Sequence, residues 1–190
     1  MALAENLVAA ANAVAYVKGL GIRACNKVSD RLAAEGGIER AIGTDLGMRT
    51  GDLGVAGAGV GVTRGVAFGN LRPKVAHSIA VGYGNCQEQA EIALLHIFDA
   101  GIHPVDLVYF SNPGYDHAWV VIGLDPGAQS DNLRSWGPHA VWCDPWQGDG
   151  IAVSIDDIVK GKVRNMSAIY KCDSLERIEA GLPASMLHIA

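Results

Sequence analysis

Apolar residues first recur at helical spacing. Leu3, Leu7, Ala10, Val14 and Val17 step by three and four along the chain, the repeat of one helix face. Val28 and Leu32, with Glu35, continue in a second, shorter stretch, and Gly19, Gly21, Gly36 and Gly37 punctuate the pattern. A helical pair is predicted over residues 1–48. The periodicity then dissolves: between Gly51 and Gly69, seven of nineteen residues are glycine. No Gly-Lys-Ser/Thr follows, and Gly57-Ala58-Gly59 lacks a third glycine at the required place, which argues against a phosphate-binding loop. Residues 49–81 read as a glycine-rich connector, or as a flap that orders over substrate.

From Gly82 to residue 190 the pattern is that of an α+β core. Asn85 is a good N-cap for a helix from Cys86 to about Asp99, ended by Gly101. Its apolar stripe is Cys86, Ala90, Ala93, Leu94 and Ile97, which leaves Gln87, Glu88 and Glu91 largely elsewhere, the two glutamates on a solvated face. Strands are predicted over Val105–Phe110, His117–Leu124, Ala140–Asp144 and Met166–Tyr170. The turn Ser111-Asn112-Pro113-Gly114 and the polar loop Asp125–Pro138 separate the first three. Ser154–Val159 reads as a capped short helix. No internal repeat is visible, so residues 1–190 are read as one domain.

Composition narrows the partners. For 190 residues, area scaling gives burial of about 70% of the unfolded surface, enough for one compact core. Fifteen basic against twenty acidic residues leave a net charge of −5, which disfavours a nucleic-acid partner held by phosphate neutralisation. The most apolar early stretch, Leu3 to Leu20, contains Glu5, Asn6, Asn12 and Lys18, so neither a membrane span nor a Sec signal is expected there. The four cysteines, Cys25, Cys86, Cys143 and Cys172, form no CxxC pair. That points to a reducing, cytosol-like setting with free thiols, and is compatible with export by a dedicated secretion machine. No histidine pair has metal-ligand spacing, and no cofactor or metal is expected.

One ordered set carries chemistry: Gly84-Asn85-Cys86-Gln87-Glu88, then Asp116-His117-Ala118-Trp119, then Trp142-Cys143-Asp144-Pro145-Trp146. A cysteine at the first turn of a helix meets the positive end of the macrodipole and free backbone N–H groups, which favour the thiolate. An unperturbed thiol is only about 3% ionised at pH 7. Those amides also suit an oxyanion on an attacked carbonyl. If the strands bearing His117 and Asp144 pair antiparallel across the polar loop, counting inward sets the two residues opposite each other on one face. Asp144 then orients His117, and His117 serves Cys86 as base and later as acid. Alternation turns Cys143 to the opposite face, into the core. The bland readings are a core Cys86, a strand-edge His117 and an Asp144 that merely forms a turn before Pro145.

This order of Cys, His and Asp resembles the papain-like and transglutaminase-like thiol enzymes. Asp116-His117-Ala118-Trp119 and Val141-Trp142-Cys143-Asp144-Pro145 are most similar to the transglutaminase-like branch. The resemblance covers Gly82 to Trp146, about a third of the chain. It implies a Cys-bearing helix packed on an antiparallel sheet that carries His and Asp. It further implies thiol-dependent acyl transfer on amide bonds of a protein substrate: proteolysis, glutamine deamidation or transglutamination. Several small bacterial effectors and toxins acting on host proteins are similar. Departures exist: the helix begins Cys-Gln-Glu, and no oxyanion glutamine stands upstream. Gln87 and Tyr83 are the candidate oxyanion contacts. Trp119 is a candidate groove residue, although its place beside a core favours packing. Gly84–Gln89 is also similar to arylamine N-acetyltransferases, the rival enzyme class; a non-catalytic binding module that retains the fold is the other rival.

Overall fold

The computed structural model of the protein describes residues 1–24, 71–112, 115–129, 132–163 and 175–178. The predicted short helical stretch around Val28–Glu35, the glycine-rich run 51–69, Cys25, Cys172 and the predicted strand 166–170 lie outside those residues.

Helix α1 spans Leu3–Gly19. Glu5 Oε2 accepts the Ala2 N–H at 2.9 Å, satisfying one free donor of the first turn. Its buried face is Asn6, Ala9, Ala10, Ala13 and Val17, so the helix is rotated from the leucine stripe predicted, and Leu3, Leu7 and Val14 pack at the margin. The reason is steric: three alanines let α1 approach helix α3 and strands β3 and β4 closely.

Helix α2, Leu71–Val81, occupies the end of the span read as a connector. Its Arg72 makes a bidentate pair with Asp99 at the far end of α3. Helix α3 runs Cys86–Asp99, the bounds predicted. Asn85 holds the N-cap position in extended conformation, and Glu88 Oε2 accepts its backbone N–H at 2.9 Å. Gly101, at φ +76°, takes the left-handed turn that follows the helix.

Among the described residues the sheet has five antiparallel strands in the order β4-β3-β2-β1-β5. They are β1 Val105–Asn112, β2 Tyr115–Ile122, β3 Val141–Asp144, β4 Ile151–Ser154 and β5 Leu175–Ile178. The first strand runs two residues further than predicted, through Ser111 and Asn112. The second begins at Tyr115 rather than His117 and stops at Ile122, because Gly123 turns the chain with φ +79°. Strand β4 was not predicted. It is short, half-exposed, and defined by pairing with β3 rather than by alternation of its own. Ser154 ends it and caps helix α4, Ile155–Val159, by accepting the Asp157 N–H on Oγ at 3.0 Å.

Alternation sorts the sheet into two apolar faces. Leu107, Ala118, Val120, Ile122, Val141 and Cys143 pack with α1, α2 and α3. On the other face Val108, Trp119, Val121 and Trp142 meet Leu124 and Trp136 of the long loop, with Ile155 and Ile158 of α4. The protein is therefore α+β, with an N-terminal helix and an antiparallel sheet buried on both sides.

Candidate active site

The central feature is a buried ion pair. His117 Nε2 lies 2.6 Å from Asp144 Oδ2, with the two side chains 1% and 0% exposed. The partnership forms across neighbouring strands, but not as the inward count suggests. The register pairs Val120 with Cys143 and Ile122 with Val141. Continued by one step, it sets Asp144 opposite Trp119, two residues from His117. The two-residue offset preserves the shared face, and the imidazole reaches the carboxylate diagonally. The loop is the cause. Its Asp125–Trp136 backbone bond still fits the inward count, but the turn that follows, with Gly137 at φ +94° and the Ala140 N–H donated to the Gly137 carbonyl, takes up two residues that the count gives to the strand.

Asp144 is at once a turn former and a histidine partner. Its Oδ1 accepts the backbone N–H groups of Trp146 at 3.0 Å and Gln147 at 3.1 Å, while Oδ2 faces His117. The turn thus clamps the carboxylate in the orientation that the imidazole uses.

Cys86 is the first residue of α3, buried, and a member of neither apolar cluster. The remainder of α3 packs on the opposite face of the sheet from His117, so the helix's first residue alone is available to this histidine. Cys86 is close enough to act on the imidazole's protonation, after burial and Asp144. Nε2 is committed to Asp144, and Nδ1, the other ring nitrogen, is buried as well. Burial by itself lowers the His117 pKa. The hydrogen bond to Asp144 and the influence of Cys86 outweigh it and raise the value from 6.5 to about 9. The imidazole is therefore protonated at neutral pH.

Cys143 behaves as alternation predicts. It is fully buried in the helix-covered core, its Sγ is 3.6 Å from the Ala10 carbonyl, and burial followed by the Asp144 charge pushes its thiol pKa far up. Such a thiol is inert.

The remaining site candidates fare differently. Trp119 is fully buried, 5.6 Å from the His117 ring and stacked on Trp142 at 4.1 Å. It lines no groove; it props the imidazole. The more exposed ring beside the imidazole is that of Trp146, half-buried and 5.2 Å from His117. The sequence signal for it was the Asp-Pro-Trp turn, because the Asp144 turn that accepts the Trp146 N–H also returns the indole to the site. Tyr83 is half-buried and bridged through its backbone to Arg23, with no contact to the triad described. Gln87 donates from Nε2 to Glu91 Oε1 at 2.9 Å. Glu88 and Glu91 do not form a solvated face: both are 0% exposed. Glu88 is consumed in capping α3, and Glu91 pairs with the buried Lys74 of α2 at 2.6 Å. The predicted solvated face fails because α2, unforeseen in the connector, covers it. Burial raises the Glu91 pKa, opposed by Lys74 and Gln87.

Among the described residues no three His, Cys, Asp or Glu side chains converge as a metal site, and no helix is long and apolar enough to cross a membrane. Comparison with protein-family models, with curated proteins and with solved structures finds no match.

Proposed function

We propose that the protein is a thiol-dependent acyl-transfer enzyme acting on amide bonds of a protein substrate, with Cys86 as nucleophile, His117 as acid and base, and Asp144 as the group that orients His117. The observation carrying this reading is the buried Asp144–His117 pair, 2.6 Å apart, with the helix-initial Cys86 near enough to act on the same imidazole. Burying the pair carries a desolvation cost that packing alone does not explain.

The steps follow from these groups. An imidazolium beside the sulfur favours the thiolate, which attacks the amide carbonyl. Negative charge gathers on the carbonyl oxygen, and the backbone N–H of Cys86 at the start of α3 is placed to receive it. His117 gives its proton to the leaving nitrogen as the C–N bond breaks, leaving a thioester on Cys86 and a neutral imidazole. That imidazole then takes a proton from water as it attacks the thioester, and the thiol is restored. If the attacked bond is a main-chain amide the outcome is proteolysis. If it is a glutamine side chain, ammonia leaves and glutamate forms. An amine in place of water yields a cross-link. Similarity to the small thiol effectors supports a substrate in a host cell and a reducing workplace.

The test is intact-mass and peptide mapping of candidate protein substrates incubated with the wild type or with Cys86→Ala. A one-dalton gain on a glutamine identifies deamidation, a new terminus identifies proteolysis, and a fused mass identifies transglutamination. No Cys86-dependent change, together with a Cys86 that alkylates no faster than in the unfolded chain, refutes the proposal and leaves a binding module.

A further inference from the structure

Gln87 follows Cys86 in the first turn of α3 and is half-buried, with its amide nitrogen 2.9 Å from Glu91 Oε1. The same oxygen takes Lys74 Nζ of α2 at 2.6 Å, and the Lys74 and Glu91 side chains are only 4% and 1% exposed. A buried lysine–glutamate pair loses hydration that its own attraction barely offsets, so stability alone is a weak reason for it. Its geometry suggests another. A carboxylate only accepts hydrogen bonds, so a charged Glu91 admits one orientation of the neighbouring amide: NH2 toward Glu91, carbonyl oxygen turned away. Meanwhile Glu91 Oε2 is buried with no hydrogen-bond partner among the described residues. The carboxylate thus concentrates both of its bonds on the oxygen that Gln87 shares, at the expense of its own second oxygen.

We infer that Glu91, held by Lys74, is a positioning residue that presents the Gln87 carbonyl oxygen as an acceptor for an N–H of the amide attacked at Cys86. This rests on the thiol-enzyme reading and sharpens its substrate class: amides carry the N–H that this oxygen accepts, and oxygen esters do not. It also reverses the role expected of Gln87, from donor to the oxyanion to acceptor from the substrate.

The test compares two small reagents at Cys86, with site-resolved rates from peptide mapping. Iodoacetamide carries an amide N–H; methyl methanethiosulfonate carries none. The ratio of the two rates reports the acceptor, whereas a purely structural role for Gln87 or Glu91 moves both rates together. Gln87→Ala is expected to lower the iodoacetamide-to-methanethiosulfonate ratio roughly three- to tenfold, the range for one lost hydrogen bond. Lys74→Met with Glu91→Leu, which replaces the pair by apolar groups of similar volume and avoids stranding a buried charge, is expected to lower it by a similar factor. A ratio unchanged in Gln87→Ala overturns the acceptor. A ratio lowered there but unchanged in the double variant overturns the positioning role of Glu91. A Cys86 that is fast toward methyl methanethiosulfonate with both ratios unchanged sinks this inference alone. A Cys86 no faster than in the unfolded chain sinks the proposed function as well.

Discussion

The two described thiols sit on neighbouring elements, yet their surroundings are opposites. Cys143 lies in the helix-covered core, with a backbone carbonyl for company and a thiol pKa driven up by burial. Cys86 retains 5% exposure, belongs to neither core cluster, begins a helix and acts on an imidazole that is itself pinned by a carboxylate. Depth therefore does not separate the two thiols. The polar partners do, and those partners come from a different face of the sheet than the one the helix covers.

The largest effect expected is on that contrast itself. Cys86→Ala should abolish Cys86-dependent substrate modification, while Cys143→Ala should retain it and cost about 1 kcal/mol of stability from the small cavity left. Denaturant melts beside the mass assay check both. Next, His117→Ala should slow alkylation of Cys86 and substrate turnover by roughly 10²- to 10⁴-fold. If Cys86 and Cys143 then react alike, the histidine is the source of the difference; if Cys86 remains fast, the helix terminus is.

Asp144 permits a finer cut, because its two oxygens do different work. Asp144→Ala removes both and should destabilise by about 3–5 kcal/mol, the usual cost of breaking a buried pair. Asp144→Asn keeps an acceptor for the Trp146 and Gln147 N–H groups, so its stability loss should be about half as large. Its rate loss should nonetheless match that of the alanine variant. Equal stability losses in the two variants would contradict the division of labour.

The pH dependence has a definite sign. Folding raises the His117 pKa from 6.5 to about 9, so the folded state favours the imidazolium. Its contribution, on the order of 3 kcal/mol, is complete below about pH 6.5, declines between there and about 9, and is gone above. Urea melts across that window should show the decline in the wild type and a flatter profile in Asp144→Asn. The smallest effect concerns the cap of α4. Ser154→Ala removes the cap of α4 and should cost about 1 kcal/mol while leaving Cys86 alkylation unchanged.

Much of this architecture was legible beforehand, and the reasons are local. The bounds of α3 follow from Asn85, Glu88 and Gly101, whose effects act within one turn of the helix. The cap at Ser154 and the core position of Cys143 follow from equally short-range rules, an N-cap oxygen and the two-residue repeat of a strand. The shared face of His117 and Asp144 survived a register error because a shift of two residues preserves facing. What was illegible depended on contacts distant in sequence. Glu91 looks solvated until α2 brings Lys74 against it. Trp119 looks able to line a groove until Trp142 stacks on it. Strand β4 is a strand only because β3 lies beside it.

Sequence by itself determined the order of Cys86, His117 and Asp144 along the chain and the element each occupies, since helix capping and strand alternation are properties of a few consecutive residues. Tertiary structure decided the register that lets His117 reach Asp144, the burial of Lys74 and Glu91, and the complete burial of Trp119 beside a half-buried Trp146. Those outcomes turn on loop geometry and on which surfaces meet, and no short window of residues encodes the meeting of segments some tens of positions apart.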